Sequence, residues 1–320
     1  MKNVVSKQPE ISLIIPILNE VGNLDELSKR IDKAFKKLPS YEVIYVDDGS
    51  KDNTLEKLEE INKKYPHQKF VSLMRTSGQS TALMAGIDNA TGKYIATLDG
   101  DLQNYPEDLI PMYKVLLEGK YDMMVGWRKH RWHEKKIRRL PSLLANFFIK
   151  KAFRTGHLHD AGCSVKIANA SLFREIRLYG ELHRFIAYIA HELGGRVGEM
   201  EVQYAPRKYG VSKYGLSRTF KVIVDIFNLK LLMMRKTTPT QLMAPLVLIS
   251  LLLSFLSGAL TLYLKIFNNF DISGDPLFVI SVITFLMSIQ FAIYGFLGEL
   301  IIRAYYESGD KKTYLIREKS

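Results

Sequence analysis

The sequence predicts an α/β protein in which a mostly parallel sheet is followed by a hairpin of two membrane-spanning helices. Over roughly the first 130 residues, short apolar runs rich in β-branched residues alternate with longer helical patterns. Past residue 240 the composition changes to two long stretches almost free of charge. The 320 residues suffice for one large domain or two ordinary ones, and 47% hydrophobic with 24% charged residues excludes a disordered or fibrous chain. A mean hydropathy of −0.04 averages two unlike regions.

Candidate strands lie at residues 11–16, 41–46, 69–74, 93–98 and 121–126, with helical patterns between them at 23–37, 53–64, 79–90 and 106–118. Strand starts recur every 24 to 30 residues, the spacing of βα units in a parallel sheet. Ligands of such sheets bind beyond the carboxyl ends of the strands, so the residues following each strand carry the functional information. Asn19 and Glu20 follow the first strand, and Asp47-Asp48-Gly49-Ser50 the second. Asp99-Gly100-Asp101-Leu102-Gln103 follow the fourth. Asp48-Gly49-Ser50 alone reads equally well as a turn, with Asn53 capping the next helix. Asp99 and Asp101 differ, because two carboxylates this close repel unless a cation sits between them. With the neutral oxygen of Gln103 they form a donor set suited to Mg²⁺ or Mn²⁺. No GxxxxGK[ST] or GxGxxG loop is present, so a nucleotide diphosphate would have to be held by metal and basic side chains.

The first long apolar stretch, 242–267, holds Lys265 as its only charge; the second, 276–302, is uncharged from Leu277 to Gly298 and is followed by Glu299 and Arg303. Each exceeds the roughly 20 residues a helix needs to cross a bilayer core. The connection between them contains Asp271 and Asp275 and no lysine or arginine, whereas Arg235 and Lys236 precede the pair and Arg303, Lys311, Lys312, Arg317 and Lys319 follow it. This asymmetry predicts both termini in the cytoplasm. Met1 to Glu10 is polar and the apolar run after it is short, so no cleavable signal is expected. The expected organisation is a cytoplasmic catalytic domain over 1–217, a juxtamembrane amphipathic helix over 218–240, two transmembrane helices within 241–303 and a cytoplasmic tail over 304–320.

A net charge of +12 points to an anionic partner: nucleic acid, phosphorylated substrate or acidic membrane. The basic residues cluster near the spans, and the carboxylate rim argues against nucleic acid. Arg128 to Arg139 packs seven lysines and arginines against one glutamate. Phe220, Ile223, Val224, Phe227, Leu231 and Met234 recur at helical spacing. Both segments are expected to be interfacial helices on an anionic membrane surface. The single Cys163 excludes an intrachain disulfide and reads as a packing residue.

Four strings in this order and spacing, IIPILNE, VDDGSKDNT, RTSGQSTALMAG and LDGDLQNYPE, resemble family 2 glycosyltransferases with the Rossmann-like GT-A fold. DAGCSVKIANASLF, from Asp160, and APRKYGVSKYGLSRTF, from Ala205, resemble the polyprenyl-phosphate branch, which includes dolichol-phosphate mannose synthases and bacterial bactoprenol glucosyltransferases. The two-span tail looks most like the bactoprenol type. The resemblance implies inverting, metal-dependent transfer of a sugar from a nucleotide donor to undecaprenyl or another polyprenyl phosphate, at the cytoplasmic face of the inner membrane. UDP-glucose is the expected donor, with GDP-mannose or a UDP-aminosugar as alternatives. In a different class stands a non-catalytic membrane adaptor that binds nucleotides.

The resemblance also assigns roles. Pro16, Glu20 and Asp47 match positions that hold base and ribose, and Asp99, Gly100, Asp101 and Gln103 match the metal and diphosphate site. Arg207, Ser212 and Lys213 match an acceptor loop whose cations meet the diphosphate, and Arg128 and Arg139 match arginines near the acceptor phosphate. Asp101, Asp160, Arg207 and Lys213 are the expected catalytic residues. The chemistry agrees, since a departing diphosphate gathers negative charge that a metal and fixed cations stabilise. A phosphate monoester with a second pKa of about 6 is largely dianionic at neutral pH and needs no strong base. Asp160 is therefore read as an orienting group or weak base. A homo-oligomer is implied, a tetramer being one option, and Ser254, Ser257 and Gly258 offer small-residue packing for it.

Overall fold

A computed structural model describes residues 8–129, 158–178, 180–206, 239–268, 275–307 and 316–319. The chain divides into two compact units, Met1–Phe227 with Lys312–Ser320, and Asn228–Lys311.

In the first unit, β1 (Ile11–Ile17), α1 (Val21–Phe35), β2 (Tyr41–Asp47), α2 (Thr54–Lys64), β3 (Gln68–Leu73), α3 (Gln79–Asn89) and β4 (Tyr94–Thr97) follow the predicted alternation. A 3₁₀ turn (Pro106–Asp108), α4 (Leu109–Leu117) and β5 (Met123–Trp127) complete it. β1 is buried almost throughout, with Ile11, Leu13, Ile14 and Ile15 at 0% exposure, as expected of a parallel strand covered on both faces. Beyond the prediction lie β6 (Lys166–Asn169), α5 (Ala170–Glu175), α6 (Ile186–Glu192), β7 (Val197–Glu201) and β8 (Ile316–Lys319).

The eight strands form one sheet in the order β7-β5-β6-β4-β1-β2-β3-β8. β1 pairs in parallel with β2 and with β4, and β2 with β3. β6 runs antiparallel to both β4 and β5, so β4 and β5 point the same way. From β1 the chain builds outward through β2 and β3, then returns across β1 to lay down β4. That reversal places a topological switch point at the carboxyl ends of β1 and β4, where sheets of this kind bind their ligands. Residues 316–319, within the stretch expected as a cytoplasmic tail, form a strand that pairs antiparallel with β3.

The second unit is a hairpin of α7 (Pro239–Asn268) and α8 (Pro276–Glu307), both long and apolar enough to span a membrane. Its two helices meet along a seam of small and hydroxyl residues. Ser254 Oγ donates to the Ser281 carbonyl (2.9 Å), and Ser281 Oγ donates to the Ser254 carbonyl (3.0 Å). A Cβ on Gly258 would lie 2.9 Å from Ser281 Oγ. Ser254 and Gly258 are thus committed within the hairpin, and Ser257 donates to carbonyls of its own helix. Asp275 accepts from Leu277 N (3.2 Å) at the start of α8 and from Thr261 Oγ1 (3.3 Å).

Candidate active site

The loops after β1, β2 and β3 are stitched to one another by backbone and side-chain hydrogen bonds. Asn19 lies in the left-handed region (φ 58) that asparagine tolerates; its N–H donates to Ser50 Oγ (2.8 Å), and its Oδ1 accepts from Lys51 N (2.8 Å). Gly49 has φ 72, and a Cβ there would lie 2.8 Å from the backbone of Arg75 and Thr76. Asp48 accepts from Ser77 N (2.7 Å) and Gly78 N (2.8 Å), tying β2 to the start of α3. Asp47 is buried and accepts from Ser50 N (3.0 Å) and Ser72 Oγ (3.0 Å). These bonds tie the loop after β2 to β3. Glu20 stands at the start of α1, its carboxylate accepting from Asn23 Nδ2 and its N–H donating to Thr54 Oγ1 (3.1 Å). Pro16 lies opposite Val46, and its carbonyl would be 3.7 Å from a Cβ on Gly100, so β1 and the loop after β4 run side by side.

That loop carries the paired aspartates. Leu98 N donates to the Ile14 carbonyl (3.1 Å), which extends the β4 pairing up to Asp99. Gln79 Nε2, at the first turn of α3, donates to Asp99 Oδ1 (2.9 Å). Burial and the neighbouring Asp101 push the Asp99 carboxyl above its usual range, against the pull of Ser164, Arg128 and Lys166. Asp101 is buried and accepts from Gln103 N (3.2 Å) across Leu102, whose φ of 59 turns the loop. An all-oxygen donor set of two close carboxylates and an amide, one carboxylate held unfavourably by the other, fits a hard divalent cation.

At the end of β5, Arg128 and Asp160 form a bidentate pair, Nε to Oδ2 at 2.7 Å and Nη2 to Oδ1 at 3.0 Å, with both side chains about nine-tenths buried. The segment bearing Asp160 is anchored by Glu199 on β7, which accepts from His159 N (2.8 Å), Asp160 N (2.7 Å) and His159 Nδ1 (2.7 Å). The His159 ring stacks on Trp127 at 4.4 Å. Lys166 on β6 is buried, its ammonium donating to the Cys163 carbonyl, and burial lowers its pKa. Cys163 is fully buried among these residues, and burial pushes its thiol up.

The structure therefore gathers Pro16, Glu20, Asp47, Asp99, Gly100, Asp101, Gln103, Arg128 and Asp160 at one edge of the sheet. Arg139, Arg207, Ser212 and Lys213 lie outside the described residues, as do the amphipathic segments at 130–139 and 220–234. Gln79, Glu199, Lys166 and Tyr204 are site neighbours that sequence reasoning missed. Gln79 was accessible as the first helical residue after Gly78, and Lys166 as a charge inside the buried run Val165 to Ala168. Glu199 and Tyr204 carry no local signal.

A switch-point sheet with paired carboxylates and a carboxylate-held arginine on the same rim fits a GT-A glycosyltransferase. The chain belongs to Glycosyl transferase family 2, whose pattern matches residues 12–177. It is 40% identical to dodecaprenyl-phosphate galacturonate synthase of Rhizobium johnstonii, over 97% of this chain and 92% of that protein. It is 33% identical to undecaprenyl-phosphate 4-deoxy-4-formamido-L-arabinose transferase of Proteus mirabilis, over 97% of this chain and 93% of that protein. Its fold is similar to that of glucosyl-3-phosphoglycerate synthase from Mycobacterium tuberculosis, solved with Mn²⁺ and UDP-glucose, with a TM-score of 0.55 at 14% identity, over 69% of this chain and 79% of that chain.

Proposed function

We propose that this enzyme transfers a sugar from a nucleotide donor to a polyprenyl phosphate at the cytoplasmic face of the membrane, with inversion at the anomeric carbon. The observation that carries this reading is the meeting, at one sheet edge, of the Asp99–Asp101–Gln103 loop with the buried Arg128–Asp160 pair, in a chain that also holds a hairpin of two helices long and apolar enough to span a membrane. The names of the 40% and 33% identical relatives support the lipid acceptor. They also move the preferred donor from the UDP-glucose expected on sequence to a UDP-linked uronic acid or aminosugar.

Asp99, Asp101 and Gln103 would hold the divalent ion, which neutralises charge on the departing diphosphate. Asp160 takes the Nε and Nη2 edge of Arg128, which turns the opposite edge of the guanidinium toward a phosphate partner. A carboxylate so engaged is a poor base, which suits an acceptor that arrives as a dianion. Its remaining work is to fix the arginine that aligns the attacking oxygen.

The test is a donor panel of UDP-galacturonate, a UDP-aminosugar, UDP-glucose and GDP-mannose, offered with undecaprenyl phosphate and Mn²⁺ or Mg²⁺. A lipid-linked sugar is expected from the wild type, and none from Asp101→Ala or in excess chelator. Absence of lipid-linked product with every donor would overturn the reading in favour of a nucleotide-binding adaptor.

A further inference from the structure

We infer that Tyr204 is a positioning residue that orients Gln103 for the divalent cation and couples the cation loop to Arg128. This rests on the cation reading above. Past β7 the chain crosses the rim as a strap, residues 202–206, before reaching the segment that contains Arg207 and Lys213. Val202 N donates to the Trp127 carbonyl (3.0 Å), and a Cβ on Gly126 would lie 2.8 Å from a Val202 methyl, so the strap starts tightly packed. Gln203 is fixed to Asp108 through its N–H (2.8 Å) and its side-chain amide (3.3 Å). Tyr204 then forms a β-bridge with Asn104, and Ala205 N donates to the Gln103 carbonyl (2.9 Å). On this frame the Tyr204 hydroxyl accepts from Gln103 Nε2 (3.1 Å), while the Arg128 guanidinium sits 5.9 Å from the centre of its ring.

A primary amide has a donor end and an acceptor end, and only the oxygen can ligate a hard cation. In this structure the phenol accepts from the nitrogen, the arrangement in which the oxygen is the ligating end. Without it the amide can turn over and present N–H groups that a cation repels. The same ring lies against Arg128, which sits on the acceptor side of the proposed reaction. One side chain thus spans the two halves of the site and opens the segment that leads to the expected acceptor loop.

The experiment is a Mn²⁺ titration followed by the electron paramagnetic resonance of the free ion, with the detergent-purified full chain and saturating UDP. Wild type, Tyr204→Phe, Gln103→Ala and the double variant are compared, and UDP binding in chelator and thermal unfolding are measured for each. Partners behind a metal ligand commonly change affinity 10- to 100-fold, and a single hydrogen bond sits at the low end, so Tyr204→Phe should weaken Mn²⁺ about tenfold. Its UDP binding in chelator should match wild type, as a general loss of structure would not allow, and the double variant should bind Mn²⁺ no worse than Gln103→Ala. Wild-type Mn²⁺ affinity in Tyr204→Phe, or losses that multiply in the double variant, would overturn the role of Tyr204. No Mn²⁺ uptake by the wild type would instead overturn the cation reading beneath it.

Discussion

Arg128 shows how far one side chain's role depends on its partner. Its guanidinium is buried yet charged, and two parallel hydrogen bonds from a rigid fork to Asp160 make that placement tolerable. Lysine would keep the charge and lose the fork. Arg128→Lys is therefore expected to raise the acceptor KM about tenfold, the cost of roughly one charge-assisted hydrogen bond, while leaving the donor KM unchanged. Asp160→Asn should act through the same arginine, so the double variant should be no slower than Arg128→Lys alone in initial-rate measurements. Independent, multiplying losses would mean that Asp160 touches the reaction directly. Gly49 is constrained differently, by its φ of 72 and by a Cβ position 2.8 Å from the neighbouring backbone. Gly49→Ala should cost at least about 1–3 kcal/mol in denaturant unfolding, the range for a backbone held in a disfavoured region.

At the scale of elements, the sheet is held at its far end by Glu42 at the start of β2. Its buried carboxylate accepts from Ser12 Oγ (2.6 Å), Lys69 Nζ (2.9 Å), Thr91 N (2.8 Å) and Thr91 Oγ1 (2.7 Å), joining β1, β2, β3 and the turn into β4. Burial pushes the carboxyl up, but these hydrogen bonds outweigh it and leave the pKa below its ordinary value. A group whose pKa is depressed by folding stabilises the protein above its unfolded pKa, about 4.3 for glutamate, and that contribution is lost as pH falls toward the folded value. Stability should therefore decline below about pH 4.3, and Glu42→Gln should flatten that decline while costing about 1–3 kcal/mol at neutral pH. Equilibrium unfolding across pH checks both. The runs that became β1 to β5 were legible because each is apolar and bounded by polar turns. β6 was not, since Lys166 interrupts a four-residue strand, nor was β7, whose VGEME reads as polar. The aspartate loop was equally legible, because its residues are consecutive. Tyr204 was not, because it meets Gln103 across 101 positions and nothing local announces the contact.

For the whole molecule, β8 bears on membrane topology independently of charge. Lys319 pairs with Val71, Glu318 with Ser72 and Ile316 with Leu73, so residues 316–319, beyond the hairpin, belong to the same sheet as the strands before it. A sheet cannot be assembled across a bilayer, because backbone groups inside hydrocarbon must be satisfied within their own segment. A sheet shared by β3 and β8 therefore calls for an even number of spans between them, and the proposal that both helices span predicts the acidic connection on the far side of the membrane. The positive-inside rule predicts that side to be outside the cell. Because Cys163 is fully buried, single engineered cysteines can be labelled against a low background. In intact cells, a membrane-impermeant maleimide should modify Asp271→Cys readily and Ser308→Cys only after permeabilisation. Labelling of Ser308→Cys from outside, with Asp271→Cys protected, would invert the topology and put the nucleotide site in a compartment without nucleotide sugars. Labelling of both from outside would mean that one helix does not span, and β8 could then not complete the sheet as it does here.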